Sequence, residues 1–518
     1  MPGSAASAWP SSSASVPIRA AFRTFGCKLN QLETEALAGA FRESGAVPVP
    51  FSESADVYVV NTCTVTGKAE QKARREIRKA LRSNPRAVVL VTGCWAEVGA
   101  GEVAALGPRT VVIPGSRKDD AALLASDLAE AWEKGLDLAE AAERGRDARA
   151  GRAHDPFAFR PETFLLHSRA SLKVQDGCDN RCAYCRVCLA RGPSRSLAPG
   201  GVVERARALA GRGAREIVLT GVNLSQYRAG GIGMAGLLSL LVRETEGVAY
   251  RLSSWEPDRV DEEFLSAFAL PRVRNHLHLA VQSGCDATLA RMGRGYRSEA
   301  VRRAVRDLRA AKADPFLGAD LIAGFPGETE EEFRSTFDLA AELDFAWLHA
   351  FPFSPRPGTK AFGMRPKVPE RIAGERVEAL LDLGRRGRAS YAARAVGRLT
   401  RAILEDPGEE DGPEAAGSGS DYEPGPDPAR EACGDAEPDE PSASGGAAAP
   451  AAVPPAVGPA ARVAAVPAIS DEYLRLEVTG IPDSLRRRGA EVACRILEAL
   501  PGAGDLGNPD ARAEFVRL

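Results

Sequence analysis

Histidine is nearly absent from this chain, with five in 518 residues and none up to residue 118. That scarcity bears on metal chemistry, because a zinc site short of cysteines ordinarily completes itself with histidine. Long apolar runs are missing too. Nothing approaches the roughly 18 consecutive apolar residues that cross a bilayer, so no membrane partner is expected. The opening stretch MPGSAASAWPSSSASVP has neither the basic nor the apolar segment of a secretory signal. A disordered leader over residues 1–17 and a cytoplasmic location are the expectations. Ten cysteines in such a chain argue for metal or redox work rather than for structural disulfides.

What is present has ordinary globular composition, 44% hydrophobic and 26% charged. The length suits roughly two to four domains, each with its own core. The net charge of −3 is unevenly spread: Glu405 to Glu440 holds fourteen acidic residues and one arginine. Everything else therefore carries about +10, a balance that favours a nucleic-acid partner.

The pattern of strands and helices predicts an α/β protein. Over residues 18–118, IRAAFRTF, VYVVNT, AVVLVTG and RTVVIPG read as strands separated by helices, the order of an open parallel sheet. Residues 119–165 read as a charged, Ala-rich helical linker. Over 166–395, SLKVQ, EIVLTG, YRLSS, HLHLAV, GADLIAG and WLHAF alternate with helices, predicting an incomplete (β/α)6 barrel with its site at the C-terminal strand ends. GRLTRAILED and YLRLEVTG then suggest a small β domain over 396–480. A Gly/Pro/Ala-rich acidic segment, 406–465, interrupts it and lacks the apolar residues to order itself. Residues 481–518 read as a C-terminal tail.

Two cysteine sets carry the chemistry. Cys27, Cys63 and Cys94 are far apart in sequence, yet each falls just after a predicted strand. In a parallel sheet those ends share one edge, where ligands bind. The set reads as a three-cysteine iron–sulfur site; three buried, inert cysteines are the plain alternative. Cys178, Cys182 and Cys185 follow the first barrel strand in DGCDNRCAYCRVC. No second CxxC follows to make a zinc ribbon, and the three-residue first gap differs from the ferredoxin spacing.

The CxxxCxYC pattern resembles the signature of radical S-adenosylmethionine (SAM) enzymes. TFGCKLNQLETE, VYVVNTCTVT, VVLVTGCWAE, ARGPSRS, EIVLTGVNL, LSSWEP, HLHLAVQSG, IAGFPGETEEEF and FPFSPRPGT are similar to methylthiotransferase motifs, in the family's order. TFGCKLNQLETE and ARGPSRS look most like the branch acting on tRNA threonylcarbamoyladenosine. The resemblance implies two 4Fe–4S clusters, on Cys27, Cys63 and Cys94 and on Cys178, Cys182 and Cys185, with SAM on the open iron of the second. It implies that one SAM donates a methyl group to sulfur and another yields the radical that takes hydrogen from adenosine C2. The final β domain would be an RNA-binding TRAM module. The implied partners are tRNA bearing threonylcarbamoyladenosine, an electron donor and a sulfur source, acting on a monomer. WAE after Cys94, the acidic insertion and the ending GNPDARAEFVRL depart from the family's pattern.

The resemblance places Tyr184 beside the SAM adenine, and Thr220, Gly221 and Asn223 where the methionine amino group binds. Glu256 and Gln282 would face the same mouth, and Gly324 and Glu328 would support the adenine side. Each equally suits a helix cap or a backbone contact. For RNA, Arg385, Arg386, Arg388 and Arg398 form one basic group, and Lys72, Arg75, Lys79 and Arg82 form a helical stripe, with a solvated charged face as the alternative reading. His276 and His278 alternate along one strand and read as structural. Cys285, Cys433 and Cys494 receive no role, and Cys188 reads as a packed residue outside the cluster. A methylthiotransferase acting on a ribosomal protein and a non-catalytic iron–sulfur RNA-binding protein are the competing readings.

Overall fold

Buried, continuously apolar strands organise the N-terminal domain. In the computed structural model, which describes residues 16–158, 160–161, 169–405, 465–500, 502 and 508–517, a five-stranded sheet is formed by β1 (Arg19–Thr24), β2 (Val47–Val49), β3 (Val57–Thr62), β4 (Val88–Gly93) and β5 (Thr110–Val112). The order is β2-β1-β3-β4-β5 and every pairing is parallel. Every residue of β3 and β4 is buried, as expected of strands covered on both faces. Helix α1 (Lys28–Glu43) covers one face with Leu37 and Phe41. Helix α2 (Gly67–Ser83) covers the other with Ala73, Ile77 and Ala80, the i, i+4, i+7 stripe of an amphipathic helix.

The linker expected over 119–165 is corrected here. Its helices, Lys118–Glu133 and Leu138–Ala148, bury Leu124, Leu128, Leu138 and Ala142 in the same core as Val57, Val59, Val88 and Leu90. Small apolar residues at helical spacing sufficed to dock them, and their charged outer faces had suggested a connector.

The second domain is a curved sheet of six parallel strands. Ala170–Lys173 pairs with Glu216–Thr220, which pairs with Ala249–Leu252. That third strand continues past Ser253 as Ser254–Trp255, which pairs with His276–Gln282, followed by Phe316–Ala323 and Trp347–Pro352. Among the described residues the first and last strands do not pair, so this is the incomplete (β/α)6 barrel expected. Helix α1 of the first domain packs beside the Ala170–Lys173 edge.

The C-terminal domain is a closed barrel of five strands: Leu399–Leu404, Val466–Ser470, Arg475–Thr479, Ala511–Phe515 and Glu491–Ala499, in that order. The expected tail, 481–518, is therefore a second correction, since it supplies two of the five strands. The alternation Val492, Cys494, Ile496 points inward, and without these strands the sheet would keep open edges. The expected insertion, 406–465, and leader, 1–17, lie outside the described residues apart from their ends, as does Cys433.

Buried charge docks this barrel on the rear of the larger one. Glu216 accepts two hydrogen bonds from Arg251, at 2.8 and 3.0 Å, and one from Arg274 at 2.7 Å. Arg251 also donates to the Ser470 carbonyl, and Arg274 reaches Asp471 and Glu491. Burial would raise the Glu216 carboxyl, but the two guanidiniums bring it down to about 2. Removing one member of such a network leaves buried, unpaired charge, which costs about 3–5 kcal/mol. Glu216→Gln should therefore lower the thermal unfolding midpoint and expose the C-terminal barrel to limited proteolysis. An unchanged midpoint and cleavage pattern would show that the network does not hold the two barrels together.

Candidate functional site

The parallel sheet brings the first three cysteines to one edge. Cys27 precedes α1 as its N-cap residue, Cys63 follows β3, and Cys94 opens the short helix α3 (Cys94–Val98) directly after β4. Cys27 is exposed, whereas Cys63 and Cys94 are 4% and 5% exposed. Burial, followed by the neighbouring Cys94 and Cys27 sulfurs, pushes the Cys63 thiol well up. The backbone leaves no slack: Gly26 has φ +101°, and a Cβ there would meet Cys63 Sγ at 2.7 Å. Asn30 fixes the turns on either side, donating to the Phe25 carbonyl at 2.7 Å and the Thr62 carbonyl at 3.0 Å.

The second set occupies the loop after the first barrel strand. Cys178, Cys182 and Cys185 are half-buried, and burial lifts the Cys185 thiol to about 12. Ala183 pins the loop: its N–H donates to the Met292 carbonyl at 2.8 Å, and its own carbonyl accepts from Ala361 at 2.8 Å. Arg294, which sequence reasoning missed, donates to Cys182 Sγ at 3.3 Å and contacts the Glu256 carboxylate. Glu256 also accepts from Asn180 at 3.2 Å and Asn223 at 3.3 Å. Burial keeps the Glu256 carboxyl above its ordinary range, against the pull of Arg294. The Gly residues flanking Arg294 in RMGRGY were the signal available for it.

The two cysteine sets share a helix. Val187–Arg191 begins two residues after Cys185 and packs against α3, which starts at Cys94. At its far end Arg191 donates to Asn30 at 2.8 Å, Glu33 at 3.0 Å and Asp176 at 3.1 Å. Lys118 and Lys173 reach the same Glu33, and Lys173 also lies 2.5 Å from Asp176. Arg186, beside Cys185, donates to Thr64, beside Cys63, at 3.2 Å. Arg356 joins them through Glu70, and Ser354 accepts from the Gly67 N–H at 2.9 Å. Cys188 sits on the shared helix with its thiol directed at the Cys185 carbonyl, 3.9 Å away.

The remaining sequence-predicted residues divide. Asn223 and Glu256 face the cysteine loop together. Gln282 ends its strand at φ 65°, a left-handed conformation costly for a residue with a side chain. Thr220 is buried at its strand end, and a Cβ on Gly221 would meet Gln175 Oε1 at 2.8 Å. Tyr184 is half-buried with its ring 6.4 Å from Phe325. Gly324 and Glu328 bond each other: Glu328 accepts from the Gly324 N–H at 2.6 Å and from Arg376 at 2.8 Å, and Gly324 packs on Ala373. Within the basic group at 385–398, Arg388 is corrected. Arg388 is 2% exposed and bonds Asp510 at 2.6 Å, so it ties helix to barrel and cannot meet phosphate. Arg398 pairs with Asp314 and Arg385 with Asp382, which leaves Arg386 outermost. Lys72, Arg75, Lys79 and Arg82 form an exposed stripe on α2.

A family model described as Uncharacterized protein family UPF0004 matches residues 19–115, and that of the Radical SAM superfamily matches residues 172–340. The chain is 43% identical over 433 residues to the threonylcarbamoyladenosine tRNA methylthiotransferase MtaB of Treponema pallidum, a match covering 74% of this chain and 90% of that relative. This chain belongs to the radical SAM methylthiotransferases. It is also 32% identical over 399 residues to the tRNA-2-methylthio-N(6)-dimethylallyladenosine synthase of Erythrobacter litoralis, covering 75% of this chain and 87% of the relative. Among solved structures, the radical SAM methyltransferase TsrM of Kitasatospora setae overlays with a TM-score of 0.46 at 18% identity, covering 67% of this chain and 77% of that one. In this methylthiotransferase the first matched stretch carries Cys27, Cys63 and Cys94, and the second carries Cys178, Cys182 and Cys185.

The geometry of Gly26 gives a selective test of the first set. Gly26→Ala drives a methyl group into Cys63 Sγ and should remove about four irons of about eight per reconstituted chain. The second set, on a different domain, should keep its iron. Full iron content in the variant would show that Cys63 does not need this close approach.

Proposed function

We propose that the chain converts N6-threonylcarbamoyladenosine beside the tRNA anticodon to its 2-methylthio derivative. The protein is a radical SAM methylthiotransferase that uses SAM and 4Fe–4S clusters. The observation that carries the substrate is the 43% identity to a relative named for threonylcarbamoyladenosine tRNA, against 32% to one named for dimethylallyladenosine. Neither the ribosomal-protein reading nor the non-catalytic one gains an observation.

In this reading Cys27, Cys63 and Cys94 hold one cluster, and Cys178, Cys182 and Cys185 hold the other. The donor sets suit such groups: three thiols each, with the buried cations Arg191 and Lys118 placed to balance thiolate charge at the first. SAM bound at a three-cysteine cluster supplies a carbon radical, which an unactivated aromatic C–H requires, and a methyl group in its polar mode. Arg294 donates to a ligand sulfur and orients Glu256. Asn223 and Glu256 present an amide and a carboxylate to a cationic amino group, with Thr220 and Gly221 beside them. Tyr184, Gln282 and Gly324 complete the SAM surroundings in this proposal. The barrel wall keeps water from the reacting atoms.

The C-terminal barrel acts as a TRAM-like RNA-binding domain in this reading, with Arg386 and the α2 stripe contributing phosphate contacts. An electron donor and a sulfur source are required partners, the enzyme works as a monomer, and its compartment is the cytoplasm. Among the described residues no helix is long and apolar enough to cross a membrane.

Nucleoside mass spectrometry of tRNA from a deletion strain tests the substrate. The 2-methylthio derivative of threonylcarbamoyladenosine should vanish and return with the wild-type gene; an undiminished level refutes the assignment. The three-plus-one division of the second cysteine set has its own test. Cys185→Ala should abolish SAM cleavage, and Cys188→Ala should leave it intact. Equal loss in both would make Cys188 a ligand.

A further inference from the structure

Three of the larger barrel's inward residues, none of them in either cysteine set, converge on one another. His278, Asp320 and His349 lie on the neighbouring strands His276–Gln282, Phe316–Ala323 and Trp347–Pro352. His278 pairs in register with Gly318, and Asp320 pairs with His349. Because side chains alternate along a strand, residues 278, 318, 320 and 349 share one face of the sheet. Gly318 makes room there: a Cβ at that position would meet His278 Nδ1 at 2.6 Å. The His278 ring thereby crosses its neighbouring strand and reaches Asp320.

Asp320 Oδ1 lies 2.9 Å from His278 Nε2 and 3.3 Å from His349 Nδ1, and the two rings are 4.8 Å apart. One ligand atom from each of the three residues falls within 4.8 Å of the others. Ligands bound at about 2.0–2.1 Å to one divalent ion stand about 2.9–3.4 Å from each other, which matches the two separations from Asp320 to the imidazoles. His278 Nε2 is buried yet makes no hydrogen bond, since its approach to Asp320 is off the donor direction. The side chains are 12%, 24% and 19% exposed, buried enough to shape a site and open enough to admit an ion. Burial would raise Asp320, but the two imidazoles hold it below the carboxylate range, so it is anionic. Burial also lowers His349, against the pull of Asp320.

We propose that His278, Asp320 and His349 form a two-histidine, one-carboxylate site for a single divalent first-row metal ion inside the barrel, distinct from both iron–sulfur sites. This donor set leaves coordination positions open, for water or an incoming oxygen ligand. The site lies partway along the strands: Gln282, at the mouth, is four residues and about 13 Å beyond His278. Among the described residues, the other cluster of potential ligands, Asp119, Asp120 and His154, offers no such site. Arg117 and Arg152 already neutralise its carboxylates.

Zinc is the probe. Holoenzyme with both clusters reconstituted is treated with EDTA, desalted, and equilibrated by dialysis against Zn2+, with zinc and iron counted together by elemental mass spectrometry. Wild type should hold one zinc that Asp320→Asn and His349→Gln each bind about tenfold or more weakly, with iron content unchanged. Zinc K-edge X-ray absorption on the wild-type protein needs no variant, and should show two imidazoles with oxygen and no sulfur. No bound zinc, equal zinc in all three proteins, or a sulfur-containing shell would each overturn the proposal. Iron lost alongside zinc in both variants would leave the absorption spectrum to decide.

Discussion

Arg191, Lys118 and Lys173 confront Glu33 and Asp176 in a buried cluster where the first domain meets the barrel. Three cations against two carboxylates leave one positive charge without a carboxylate, a state that low-polarity surroundings penalise heavily. If the first cysteine set holds a cluster, as proposed, its sulfurs would supply the missing negative charge: Cys27 and Cys94 face Arg191, and Cys94 faces Lys118. Burial would lower Arg191, but Glu33, Asp176 and these sulfurs hold it charged. Each member also belongs to a different structural part. Glu33 is on α1, Lys118 opens the helix over the sheet, Lys173 ends a barrel strand, and Arg191 ends the helix shared by the two sites. The cluster thus fixes the domains relative to each other at the point where a charged cofactor is to be held.

That arrangement explains why the two cysteine sets lie close together. Five helical residues, Val187–Arg191, span about 7–8 Å. One end follows Cys185, and the other bonds Asn30, whose amide closes the turns around Cys27 and Cys63. The Arg186–Thr64 bond and the Glu70 contacts of Arg186 and Arg356 tie the same two loops from a second side. The reaction proposed above, which would join sulfur from one site to a carbon activated at the other, needs such short, fixed geometry.

The parts of this design carried by local pattern were legible in the sequence. Continuous apolar strands ending in Cys27, Cys63 and Cys94, and the six strands of the larger barrel, follow from periodicity. The parts built from long-range pairing were not. Arg388 in a run of arginines reads as a basic surface, and only the fold shows Asp510, more than a hundred residues away, meeting it beneath Trp347. The final strands were read as a tail because their partner, Leu399–Leu404, is separated from them by the acidic segment. The Val492, Cys494, Ile496 alternation was nevertheless visible. His278 reads as structural from its own strand, and only the fold brings Asp320 and His349 to it from two other strands.

Arg294 shows how a single side chain can join what the sequence keeps apart. Its guanidinium donates to Cys182 Sγ, contacts Glu256, and reaches the Tyr296 hydroxyl at 3.1 Å and the Ala280 carbonyl at 3.3 Å. A lysine could not make these bonds together, since they require several donors held in one plane. Ala280 lies two residues before Gln282, on the stretch where the strand register shifts. The cysteine loop, the carboxylate at the mouth and the strained strand end are therefore held by one group. Strain at Gln282 persists because that group and the Tyr296 hydroxyl, which donates to the Ala280 and Val281 carbonyls, prevent the strand from relaxing. The charge that steadies the Cys182 sulfur and the bonds that shape the mouth are in this way the same interaction.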